Sequence, residues 1–154
     1  RYTGSGGNAL KLVAVRLATQ FNDDFRYLSA ELASYVALPE KQTSFFRYFF
    51  IQPRITTMSG AVVRKLNLRA LGTYFYPTQV WTPGELVIDR VRLYLPESIP
   101  SGKYRLEAAV FTRDEKGTYG LVPDNVEKSK LLYGYTKDGK PEAVYILLGE
   151  FEIR

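Results

Sequence analysis

Apolar positions along this chain recur mostly with a period of two. Residues 104–111 alternate, placing Tyr104, Leu106, Ala108 and Val110 on one face with Arg105 and Glu107 pointing outward, and residues 86–95 repeat the pattern with Arg90 and Arg92 outward. Over residues 62–70 an inner set of Val62, Arg64, Leu66, Leu68 and Ala70 faces an outer, more basic set of Val63, Lys65, Asn67 and Arg69. Residues 45–52, Phe-Phe-Arg-Tyr-Phe-Phe-Ile-Gln, predict a dense aromatic core strand that Pro53 stops. The final run, residues 143–153, is apolar enough to be central or paired with a neighbour. Lys137-Asp138-Gly139-Lys140 marks a hairpin joining it to residues 131–136.

Two segments leave alternatives open. Residues 9–19 place Leu10, Leu12, Ala14 and Arg16 on one face and Lys11, Val13, Val15 and Leu17 on the other, both largely apolar. That pattern suits a strand covered on both sides, or one whose outer face meets another chain, with a short helix as the alternative. After a turn at Asn22-Asp23-Asp24, residues 25–36 fit either a helix, through Leu28, Leu32 and Tyr35, or a strand. Roughly six or seven extended runs separated by turn residues predict an all-β domain, a two-sheet antiparallel sandwich of Ig-like, Greek-key type. It is expected to span residues 9–154, with the Gly/Ser-rich residues 1–8 as linker or extension.

The aromatic content, 12 Tyr and 9 Phe in 154 residues, strengthens the strand reading. A formal net charge of +5 is spread along the chain without a block, so it bears on solubility more than on a nucleic-acid partner, which is not expected. No apolar run is long enough to span a bilayer, and no direct membrane insertion is expected. The absence of cysteine leaves the compartment open.

Within residues 76–111 the turn chemistry is dense. Pro83-Gly84 sets a tight turn just after the single tryptophan, Trp81, while Leu95-Pro96 closes one strand and Ile99-Pro100-Ser101-Gly102 makes a second corner before Tyr104. A tyrosine two residues after such a glycine folds over the corner and gives its hydroxyl to a backbone group there, so Trp81 and Tyr104 are expected as structural anchors. This run resembles the β-sandwich ectodomain that follows the membrane spans of bacterial glycosyltransferase-like membrane proteins. The matching positions are Thr78, Trp81, Pro83, Gly84, Glu85, Asp89, Leu95, Pro96, Pro100, Gly102, Tyr104 and Leu106. The resemblance implies a sandwich fold, an extracytoplasmic location in the periplasm or at the cell surface, and proximity to lipid-linked sugars. It departs from that family in having no histidine in residues 46–52 and no acidic turn in residues 54–60.

Without histidine or cysteine, Ser-His and Cys-His catalysis and His-ligated zinc are excluded. Carboxylates remain: Asp23-Asp24 and Asp114-Glu115 in turns, and Glu85 and Asp89 in or beside a strand, Asp89 as a structural acceptor. None has calcium-loop spacing, and Gly4-Ser5-Gly6-Gly7 lacks the Lys-Ser/Thr of a phosphate loop, so no metal, cofactor or catalytic residue is expected. Tyrosines in turn-rich regions, Tyr74, Tyr76, Tyr133 and Tyr135, are the candidate binding residues, since aromatic platforms serve protein interfaces and sugar rings alike. The expected function is a non-catalytic module for protein assembly, with a protein partner or a second copy pairing along an edge strand. A carbohydrate-binding accessory module of an envelope protein is the alternative, and a carboxylate-only hydrolase is the third.

Overall fold

The computed structural model describes residues 1–3, 9–21, 25–37, 49–73, 76–114, 117–124 and 126–154. No α-helix occurs among them, and two antiparallel sheets pack face to face. The first sheet runs β1 (Tyr2–Thr3), β2 (Ala9–Phe21), β3 (Arg26–Ala37), β9 (Val87–Tyr94). The second runs β12 (Leu132–Tyr135), β13 (Pro141–Ile153), β10 (Gly102–Asp114), β4 (Phe49–Thr57), β5 (Val62–Lys65). In that sheet β11 (Gly117–Leu121) lies beside the end of β10, and β6 (Arg69–Ala70) beside the start of β4. A small ribbon, β7 (Gly72–Thr73) with β8 (Tyr76–Pro77), leads back to the first sheet. The sandwich expected from the alternation is therefore the fold.

Two clusters fill the space between the sheets. Leu10, Leu32, Val36, Phe49, Ile51, Val110 and Trp81 form one, and Leu28, Ile55, Leu93, Leu106, Phe151 and Ile153 the other, with Leu148 packed against both. Tyr2 is buried in the first cluster, and the Thr3 hydroxyl donates to Asp124 Oδ2 at 2.6 Å. The folded unit thus takes in part of the segment read as a linker; residues 4–8 lie outside the described residues.

The two-faced pattern of β2 has a local cause. Leu12 is registered with Ser34 but Ala14 with Ala33, so Val13 is the extra residue of a β-bulge. A bulge shifts side-chain parity, and the core-facing set becomes Leu10 and Leu12 followed by Val15 and Leu17. One apolar face that changes parity had read as two. The ambiguous residues 25–36 fall in the strand β3, whose strict alternation buries Leu28, Ala30, Leu32, Ser34 and Val36.

Pro53 does not stop β4 but sits inside it, opposite Ala108. Its carbonyl accepts from Leu66 N at 2.9 Å on the β5 side, so its donor-less nitrogen also points away from β10, toward the flank where β5 has just ended. Residues 45–48 of the expected strand lie outside the described residues. The expected run 62–70 splits into β5 and β6; Val62 and Leu68 are exposed, and Arg69 turns inward to Asp89. The terminal hairpin forms as expected, closed by Thr136 N to Lys140 O at 2.8 Å with Gly139 at φ 77°.

Candidate functional site

The residues of the resembling run take structural positions. The Thr78 hydroxyl accepts from Phe49 N at 3.0 Å, Trp81 is buried with its indole N–H on Tyr76 O at 2.8 Å, and Gly84 takes the positive φ of 81° that the Pro-Gly turn needs. Tyr104 is 6% exposed and its hydroxyl donates to Pro100 O at 2.6 Å, as the corner reading required. Arg26 completes the same corner by donating to Pro96 O and Ile99 O. Leu106, Ala108 and Val110 follow Tyr104 inward.

The acids on this run are engaged. Glu85 accepts from the Tyr76 hydroxyl at 2.5 Å and from Thr82 N at 3.1 Å, a bond that raises the tyrosine's pKa above its ordinary value. Asp89, 2% exposed, faces the core and is held by Arg69 at 2.9 and 3.4 Å; burial raises its pKa, and the guanidinium offsets part of that rise. Residues 23–24 and 115 lie outside the described residues.

Of the four expected platform tyrosines, the three that are described lie on two elements, β8 and β12. Tyr76 is half-buried, its ring stacked 6.5 Å from Trp81 and its hydroxyl committed to Glu85. Tyr133 and Tyr135 are exposed on β12, a strand of the other sheet, where Tyr133 borders a shallow recess of about 300 Å³ with Val122, Pro141 and Val144. Tyr74 lies outside the described residues.

Glu107 corrects a further expectation. It lies on the outward face of β10 but is 0% exposed, because Arg54 (2.8 Å), Arg105 (2.9 Å) and the Thr56 hydroxyl (3.2 Å) close over it. The Arg54 guanidinium carbon sits over the ring of Tyr145, 3.8 Å from its centroid, and a Cβ on Gly134 would stand 2.6 Å from that ring. Buried Tyr145 donates to Gln52 Oε1 at 3.0 Å. The outer face of this sheet is thus sealed by long side chains lying on it.

The outer face of the first sheet is arranged differently. In register across β2, β3 and β9 run the rows Ala14–Ala33–Ile88, Arg16–Glu31–Arg90, Ala18–Ser29–Arg92 and Gln20–Tyr27–Tyr94. The middle rows border an open groove of about 650 Å³. Arg90 pairs with Glu31 at 3.2 Å, whereas Arg16 and Arg92 have no ion-pair partner among the described residues. At one end Phe25, Tyr27 and Tyr94 cluster with ring centroids 5.9 to 6.3 Å apart, and Phe25 and Tyr94 are exposed. Of these residues, only the outward Arg90 and Arg92 were legible locally; the rows exist only once β3 is registered against both neighbours.

No protein-family model, no curated protein and no solved structure matches this chain.

Proposed function

We propose that this domain is a non-catalytic, extracytoplasmic assembly module that adds a strand of a second copy of itself along one side of the sandwich. The observation that carries this reading is the open flank of β2 and β13. β1 covers β2 only at Ala9 and Leu10, and β12 covers β13 only as far as Tyr145, so residues 11–21 and 146–153 have no strand partner on that flank among the described residues. The two lie on the same side, with Leu17 of β2 against Gly149 of β13. Unpaired backbone donors and acceptors along a strand are a template for strand addition.

Charge favours a second copy as the occupant. The β2 flank carries Lys11 and Arg16 and the β13 flank carries Glu150 and Glu152, so a two-fold-related copy meets each strand with its opposite. Val13, Phe21 and Leu147 are the exposed large apolar side chains of these two unpaired stretches. Static light scattering across a concentration series tests the reading: the parent protein reaches twice its 17.6 kDa mass, and Val13→Lys with Leu147→Lys holds it at the monomer mass. A monomeric parent protein at millimolar concentration, or an unchanged dimer in the double variant, overturns it.

A further inference from the structure

We infer that the groove on the outer face of the first sheet is a binding site for an acidic glycan, a linear oligosaccharide bearing uronic-acid carboxylates. The site lies on the outer face of the first sheet and not along the edge of β2 and β13, shares only Arg16 with the assembly reading, and stands on its own observations. Its cationic groups are placed to be met: Arg16 on the β2 wall and Arg92 on the β9 wall lack ion-pair partners among the described residues, while Arg90 is already held by Glu31. Adjacent strands lie about 4.8 Å apart and successive rows about 6.8 Å, so Arg16 and Arg92 stand on opposite walls, one row apart. A chain along the groove with carboxylates on alternate sides reaches both, and guanidinium takes carboxylate as a bidentate pair.

The floor separates a sugar from other polyanions. Between the arginines the groove is lined by the short side chains of Ala18 and Ser29 and by Glu31, whose carboxylate is held by Arg90, so a peptide backbone lying there would leave most of its amides unpaired. A pyranose ring instead presents an apolar face to such a floor and its equatorial hydroxyls to Gln20, Ser29 and the arginines. Tyr27 and Tyr94 form the next row beyond Ser29 and Arg92, and with Phe25 beside them Tyr94 offers exposed ring surface at the groove's end, the element that stacks on sugar rings. Glu31 in the central row opposes the closely spaced charges of a nucleic-acid backbone, and the groove's net positive charge opposes a second copy docking face to face.

The test is calorimetric titration with oligogalacturonate, its neutral methyl ester and oligoglutamate of matched length. Oligogalacturonate is expected to bind, with affinity falling as salt rises, at least about tenfold more tightly than either comparator. Arg16→Gln with Arg92→Gln should weaken it by at least about tenfold with the urea midpoint unchanged, because both side chains are exposed, and Tyr94→Ala should weaken it by several fold. No binding of oligogalacturonate, equal binding of the methyl ester, an unaffected double variant, or oligoglutamate binding as tightly overturns the inference. Leu147→Lys, which disturbs only the open flank, should leave the titration unchanged, so failure of the assembly reading is read separately.

Discussion

Two buried tyrosines make opposite predictions from the same substitution. Tyr104 is 6% exposed and its hydroxyl reaches Pro100 O at 2.6 Å, while its ring stacks 6.1 Å from that of Phe151. Tyr104→Phe keeps the ring contact and removes only the donor. An orphaned buried carbonyl costs about 1 to 3 kcal/mol, but Pro100 is itself exposed and water re-satisfies part of the loss, which places the cost at about 1 to 2 kcal/mol. Tyr2 is 1% exposed and its hydroxyl has no hydrogen-bond partner among the described residues; burial accordingly raises its pKa. Tyr2→Phe therefore relieves a desolvated hydroxyl and should be neutral or stabilising by up to about 1 kcal/mol. Urea unfolding followed by Trp81 fluorescence gives both values on one scale. Equal destabilisation by the two substitutions, or a larger loss at Tyr2, would refute the account of the corner and of the N-terminal strand together.

Other substitutions follow from the same packing. Glu107→Ala leaves buried Arg54 without its carboxylate and should cost roughly 3 to 5 kcal/mol in urea unfolding, whereas Lys65→Ala, which breaks the exposed pair with Glu142, should cost at most about 1 kcal/mol. Gly72→Ala should cost more than about 2 kcal/mol in the same assay, since φ is +81° and the added Cβ would stand 2.3 Å from Tyr76 O. Asp89 holds its proton more tightly folded than unfolded, so its contribution to stability grows as pH falls through the window above the ordinary aspartate value. As pH falls toward the ordinary aspartate range the parent protein should gain stability relative to Asp89→Asn, and parallel pH profiles would contradict the burial argument.

What the sequence revealed was whatever local pattern encodes. Alternation over residues 104–111 and the turn chemistry at Pro83-Gly84, Pro100 to Gly102 and Asp138-Gly139 led to the sandwich, its corners and its last hairpin, because period and φ preference are properties of neighbouring residues. Val13 misled because one bulged residue flips the parity of everything after it. Pro53 misled because whether a missing donor matters depends on which flank of the strand it faces. Glu107 alternates outward as read, and its burial comes from Arg54, more than fifty positions away in the chain. The tyrosine platform was sought in Tyr74, Tyr76, Tyr133 and Tyr135, in aromatic-rich turns. The exposed cluster instead joins Phe25 and Tyr27 to Tyr94 through strand register, which no local window contains.

The assembly reading rests on backbone groups left open along β2 and β13, and amide hydrogen exchange reads those groups directly. With rising protein concentration, the amides of residues 11–21 and 146–153 that point to the open flank should become protected. The amides of Lys137 and Asp138 in the exposed hairpin turn should exchange at the same rate throughout. Exchange along both strands that is independent of concentration, up to the millimolar range, would contradict strand addition as the work of this domain.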